Sequence, residues 1–131
     1  MALARVFHAR CVGSTLIVSP LGSVSSLAGA VVQPELDRLL DHIRTHHVRN
    51  VVFDLEQAEY FGSVMLSAMH AVWRRVRREK GKVVLCRVSD VGREVLQVAR
   101  FDTLWPIYST PLEAVAAVNL RSAARPGPDL P

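Results

Sequence analysis

The feature that most constrains this chain is an alternation of two kinds of segment. Short β-branched runs take turns with stretches whose apolar residues recur at helical spacing. "VRNVVFDL" (48–55), "KVVLCRV" (82–88) and "LWPIYS" (104–109) have the length and content of strands. Between them, Met65, Met69, Val72, Trp73 and Val76 fall on one helical face, and "DVGREVLQVAR" (90–100) follows Ser89, a residue suited to cap it. A strand–helix–strand order requires crossovers, and right-handed crossovers lay strands parallel with helices against the sheet. The spacing therefore predicts an α/β chain on a mostly parallel sheet.

The ends modify that pattern. "RVFHARCV" (5–12) and "TLIVSPL" (15–21) meet at Gly13-Ser14 and predict an opening hairpin. A first helix is predicted over 34–47, with Pro34 at its first position and Leu36, Leu39, Leu40 and Ile43 forming its stripe. Pro106 points to an edge position for the last strand. Thr110, Pro111 and Glu113 supply the cap, first-position proline and third-position acid of a final helix, expected to end near Leu120. Residues 121–131 have too little apolar content to pack, so a disordered tail is expected after a single domain spanning 1–120.

Composition narrows the function classes. Half of the 131 residues are apolar, enough for one core without staples. No apolar run approaches the roughly 20 residues of a membrane span, and the amino end lacks the charged-then-apolar order of a secretory signal. A cytoplasmic setting is expected. Cys11 and Cys86 lie in apolar runs without metal or redox spacing and are expected as buried free thiols. His8, His42, His46, His47 and His70 lack ligand spacing, and no phosphate-binding glycine loop occurs, so neither metal nor cofactor is expected. Arg74, Arg75, Arg77, Arg78, Lys80 and Lys82 crowd the end of the second helix, where they complement its negative pole. Without a helix-turn-helix pattern or aromatic-basic interleaving, they read as solvated or partner-facing charge rather than a nucleic-acid footprint. Asp54 and Glu56 read as solvated or turn-bonding carboxylates.

The junction "DLEQAEYFGSVML" (54–66) delivers Ser63 where a strand gives way to a helix, the place where such sheets collect functional groups. Three roles for Ser63 are open. As a nucleophile it lacks the G-x-S-x-G elbow, with Phe61 and Met65 where glycines are needed, so an enzyme is not expected. As a helix cap it would contribute ~1 kcal/mol. As a phosphorylation site it would set the phosphate at the positive end of the helix, tolerable for the fold but not for a partner docked there.

"NVVFDLEQAEYFGSVMLSAM" (50–69) and "GKVVLCRVSDVGREVLQVARFDTLWPIYSTPLEAV" (81–115) resemble the STAS domain of anti-sigma-factor antagonists, most closely from Val48 to Val118. The resemblance implies a four- to five-stranded mixed sheet with about four helices packed mainly on one side. In antagonist members the junction carries an Asp-Ser-Ser/Thr-Gly stretch whose first serine is phosphorylated by an anti-sigma factor with serine kinase activity. Only the unphosphorylated form binds that partner. Ser63 matches that serine by position, while Gly62, Val64 and Met65 depart from its neighbours and Arg100 stands where the family often has glycine. The resemblance thus implies a non-enzymatic regulator that binds a protein partner through Tyr60, Phe61, Gly62, Ser63, Val64 and Met65, with the Gly22–Ser26 loop at the same end. The three departures favour an alternative, a constitutive assembly or scaffold subunit.

Overall fold

Described over residues 7–21, 29–58 and 62–124, the computed structural model contains five strands and four helices. The hairpin forms first: β1 (Phe7–Val12) and β2 (Thr15–Pro20) pair antiparallel around Gly13, whose φ of +63° suits a glycine in a tight turn. Then α1 (Gly29–Thr45), β3 (Asn50–Asp54), α2 (Ser63–Arg78), β4 (Val83–Cys86), α3 (Asp90–Val98), β5 (Ile107–Tyr108) and α4 (Pro111–Ala124) follow. The sheet order is β1-β2-β3-β4-β5, and β2 through β5 are parallel, as the alternation predicts.

Because side chains alternate across a strand, the sheet divides its apolar residues between two layers. Leu16, Val18, Val51, Phe53 and Leu85 face one way and pack with Leu36, Leu39 and Ile43 of α1, Met65, Met69, Val72 and Val76 of α2, and Leu96 of α3. Ile17, Val52, Val84 and Cys86 face the other way, under Ala114, Val115 and Val118 of α4. Three helices therefore share the main core and one covers the reverse face. Fully burying a side chain such as Val or Leu stabilises by roughly 1.5–3 kcal/mol, which fixes the register of each strand.

Three expectations are corrected. Helix α1 starts at Gly29, so Pro34 lies inside it rather than at its first position. The apolar stripe continues upstream through buried Val32, one turn before Leu36. Helix α4 runs to Ala124, past Leu120; residues 125–131 lie outside the described residues. Cys11 is free but exposed, because β1 is an edge strand on which only Phe7 is buried; Cys86 is free and buried.

Helices α1, α2 and α3 end alike. At α2, the Lys80 N–H donates to Arg77 O (2.9 Å) and the Gly81 N–H to Val76 O (3.0 Å); at α3, Arg100 donates to Gln97 O (3.0 Å) and Phe101 to Leu96 O (2.9 Å). At α1, Val48 donates to Ile43 O (3.1 Å). These Schellman-type closures place His47, Lys80 and Arg100 in the left-handed region (φ 52°, 63° and 64°), a position glycine usually takes. Gly81 is needed one residue later for a different reason. A Cβ there would sit 1.7 Å from the Arg49 carbonyl oxygen, so the end of α2 presses against the entry to β3.

Candidate functional site

The carboxyl end of β3 is built around an ion pair that local sequence does not announce. Asp54 is buried, 7 % exposed, and accepts from Arg87 at both oxygens, Nε to Oδ1 at 3.1 Å and Nη2 to Oδ2 at 2.6 Å. Its Oδ1 also accepts the Glu56 N–H at 3.3 Å, a turn-closing bond, and Arg87 Nη1 lies 3.2 Å from Glu56 Oε1. The expectation of a turn-bonding Asp54 holds, but that of a solvated one does not: a bidentate guanidinium replaces its water. Arg87 itself sits at φ 54° and donates its backbone N–H to Tyr108 O at 3.2 Å, which ties the pair to β5. The hydrogen bond with Asp54 raises the pKa of Arg87 above its already high ordinary value. Burial, reinforced by the negative charge of Asp54, pushes the adjacent Cys86 thiol up to about 12.

From this anchor the chain turns toward α2. The Leu55 N–H donates to Cys86 O (3.0 Å) and the Ala58 N–H to Leu55 O (3.2 Å), with both side chains buried. Tyr60, Phe61 and the Gly22–Ser26 loop, all expected near the site, lie outside the described residues.

Helix α2 then opens without a side-chain cap. Its N-cap is Gly62, extended at φ −122° and ψ −178°, whose carbonyl accepts the Leu66 N–H at 3.1 Å. Ser63 is the first helical residue and is exposed, so the cap role is not the one it plays. The other two junctions are capped as their sequences predict. Ser89 Oγ accepts the Gly92 N–H at 3.0 Å, and Thr110 Oγ1 accepts the Glu113 N–H at 3.1 Å. Glu113 returns a bond to the Ser109 N–H (3.2 Å), one residue upstream of the usual partner. The first turn of α2 also carries no acidic residue. Within that turn no side chain offsets the positive end that its N–H groups and dipole present beside the exposed Ser63.

Beside Ser63 runs a groove of about 360 Å³ between α1 and α2. Ser63, Ser67 and Ala71 are spaced four apart, and their small side chains leave a gap that Leu36 and Leu40 of α1 do not fill. Val64 lines the groove, half-buried, whereas Met65 turns into the core at 1 % exposure and supports the helix end from beneath. Leu40, Ser67 and Ala71 were not among the expected site residues. The recurrence of small residues at 63, 67 and 71 was the available signal. Among the described residues, no cluster of His, Cys, Asp or Glu could hold a metal ion, and no helix is long and apolar enough to cross a membrane.

A family model for the STAS domain matches residues 9–114. The chain belongs to the STAS domain family. This STAS domain is 29% identical over 102 residues to BtrV of Bordetella bronchiseptica, assigned as an anti-sigma factor antagonist, covering 78% of this chain and 84% of BtrV. A solved anti-sigma-factor antagonist (STAS) domain protein from Planctomyces limnophilus superposes with a TM-score of 0.72 at 30% identity, covering 86% of this chain and 96% of that one. The unphosphorylated form of the anti-sigma factor antagonist SpoIIAA shares the fold at 19% identity, with a TM-score of 0.73 and coverage of 86% and 96%. Relatives and structural neighbours of this STAS domain are thus anti-sigma-factor antagonists.

Proposed function

We propose that this STAS domain is a non-enzymatic regulator of the anti-sigma-factor-antagonist type, switched by phosphorylation of Ser63. Its partner is a protein, an anti-sigma factor with serine kinase activity, docked over the start of α2 and the α1–α2 groove. A cytoplasmic setting goes with this reading. The observation that carries it is the exposed Ser63 hydroxyl on an uncapped helix start, next to a groove with apolar walls. A hydroxyl in that place is free to be modified, and the helix end tolerates the charge that modification adds. A partner packed against the same surface does not, because about two negative charges enter an interface built for a hydroxyl. Losing ~2.7 kcal/mol there weakens binding about a hundredfold. SpoIIAA, solved in both unphosphorylated and phosphorylated forms, lends this reading support by likeness of fold.

The second reading, a constitutive scaffold, draws on Gly62 and Met65. Gly62 rather than a carboxylate immediately precedes Ser63, and Met65 is committed to the core rather than to the surface. The deciding experiment is intact-mass analysis of the endogenous protein, followed by calorimetric titration of a partner isolated by pull-down against wild type, Ser63→Asp and Ser63→Ala. The switch predicts a phosphate on Ser63 and about a hundredfold loss of affinity for Ser63→Asp alone. Equal affinities with no phosphate select the scaffold.

A further inference from the structure

The end of α2 remote from Ser63 carries a second groove, of about 420 Å³, between the close of that helix, the entry to β4 and the segment before β5. Arg77, Lys80 and Lys82 line it together with Trp73, Leu104 and Pro106, and its accessible surface is mostly polar. We propose that this groove binds an acidic segment of a partner protein, its carboxylates on the three cations.

Helix-end complementarity accounts for some of these charges, since cations favour the negative end of a helix. It does not account for Lys82, which follows the helix. Among the described residues, Arg77, Lys80 and Lys82 pair with no carboxylate, as Arg74, Arg75, Arg78 and Arg93 also do not, so what sets the three apart is that they line one groove. The backbone carrying them is fixed. Lys80 is held at φ 63° by the helix closure, Gly81 is wedged against Arg49, and the Lys82 N–H donates to Asn50 Oδ1 at 2.9 Å. Such fixed placement lowers the ordering cost of binding.

Two features favour an acidic polypeptide over a nucleic acid. The Arg77 guanidinium lies 5.0 Å over the Trp73 ring, so the ring is engaged by a cation rather than open to stack a base. The groove is also short, with room for a few carboxylate side chains rather than a run of phosphates. The 16 residues of α2, at about 1.5 Å each, span about 24 Å. The groove therefore stands apart from Ser63, and its occupation is independent of the reading given to that serine.

The test uses a short fluorescein-labelled glutamate-rich peptide, titrated by anisotropy, with a single-stranded RNA oligonucleotide in parallel. The proteins are wild type, Lys80→Glu/Lys82→Glu, Lys80→Gln/Lys82→Gln, Arg93→Glu at the opposite end of the sheet, and Ser63→Asp, each checked by circular dichroism. Expected are saturable one-to-one peptide binding, a shift of the Trp73 indole resonance on binding, and about tenfold weakening in the Lys80→Glu/Lys82→Glu variant. The Gln variant gives a smaller loss in the same direction, and it decides the matter if the Glu variant fails to fold. Arg93→Glu and Ser63→Asp leave binding unchanged. Equal weakening by Arg93→Glu, an unmoved Trp73 resonance, or RNA that binds more tightly and displaces the peptide would each overturn the proposal.

Discussion

Replacing Gly81 with alanine tests the tightest approach in the fold. The added Cβ would lie 1.7 Å from Arg49 O, 2.7 Å from Val76 Cγ1 and 2.9 Å from Arg49 C, so backbone rather than a flexible side-chain tip must move. The backbone that moves carries a knot of hydrogen bonds: Gly81 N–H to Val76 O (3.0 Å), Lys82 N–H to Asn50 Oδ1 (2.9 Å), Val51 N–H to Lys82 O (2.9 Å) and Arg49 N–H to Ser14 O (2.7 Å). Each contributes about 1 kcal/mol net and costs more if left buried and unpaired. Breaking two or three gives a loss of about 3 kcal/mol. For 131 residues at roughly 2.1 cal/mol/K each, that lowers Tm by about 11 °C. Gly13→Ala is the control: its φ of +63° carries left-handed strain, but nothing lies within 4 Å of the new Cβ, so about 1 kcal/mol and 4 °C are expected. Calorimetric melts of both variants settle the point. Equal melting shifts for the two glycines would refute the close approach of α2 to the β3 entry.

Asp54→Asn removes the carboxylate that both ends of the Arg87 fork hold, and urea unfolding should show a loss of about 2 kcal/mol, moderated because Arg87 is 37 % exposed. In native protein at pH 8 a thiol reagent should label Cys11 promptly and Cys86 only after denaturation. Because the native pKa of Cys86 is raised from 9.0 to about 12, the stability tied to its neutral thiol is intact below pH 9. That stability falls by about 1.4 kcal/mol per pH unit between 9 and 12, a slope that Cys86→Ala should remove from alkaline unfolding curves. Ser89→Ala should cost ~1 kcal/mol through the lost cap, whereas Ser63→Ala should cost less than about 0.5 kcal/mol, as thermal melts would report. Arg100→Gly should stabilise by about 0.5 kcal/mol, the relief of left-handed strain minus the entropy glycine adds to the unfolded chain, measured in the same melts.

What the sequence made legible was local. The hairpin at Gly13, the cap at Ser89 and the box at Thr110–Glu113 depend on residues within four positions of one another, and the structure has them where the spacing puts them. The parallel sheet followed from periodicity alone. Features that depend on distant chain were not legible. Asp54 and Arg87 are 33 positions apart, so their pairing waits on β3 lying beside β4. Cys11 sits in an apolar run, but its exposure depends on β1 being an edge. Whether Ser63 or Gly62 caps α2 turns on one residue's dihedral angles, which composition does not encode. The α1–α2 groove needs both helices in place before small residues on one of them leave a gap.

The position of Ser63 one step inside its helix separates two kinds of response. A capping serine would couple every change at its hydroxyl to the folding equilibrium, and the amount of intact protein would drift with its chemical state. Ser63 makes no such bond. Charge, bulk or deletion at that oxygen breaks no capping bond, so the folded population changes little. On the proposed reading, dose and affinity are thereby set by separate parts of the chain, the first by the core beneath α2 and the second by the Ser63 hydroxyl.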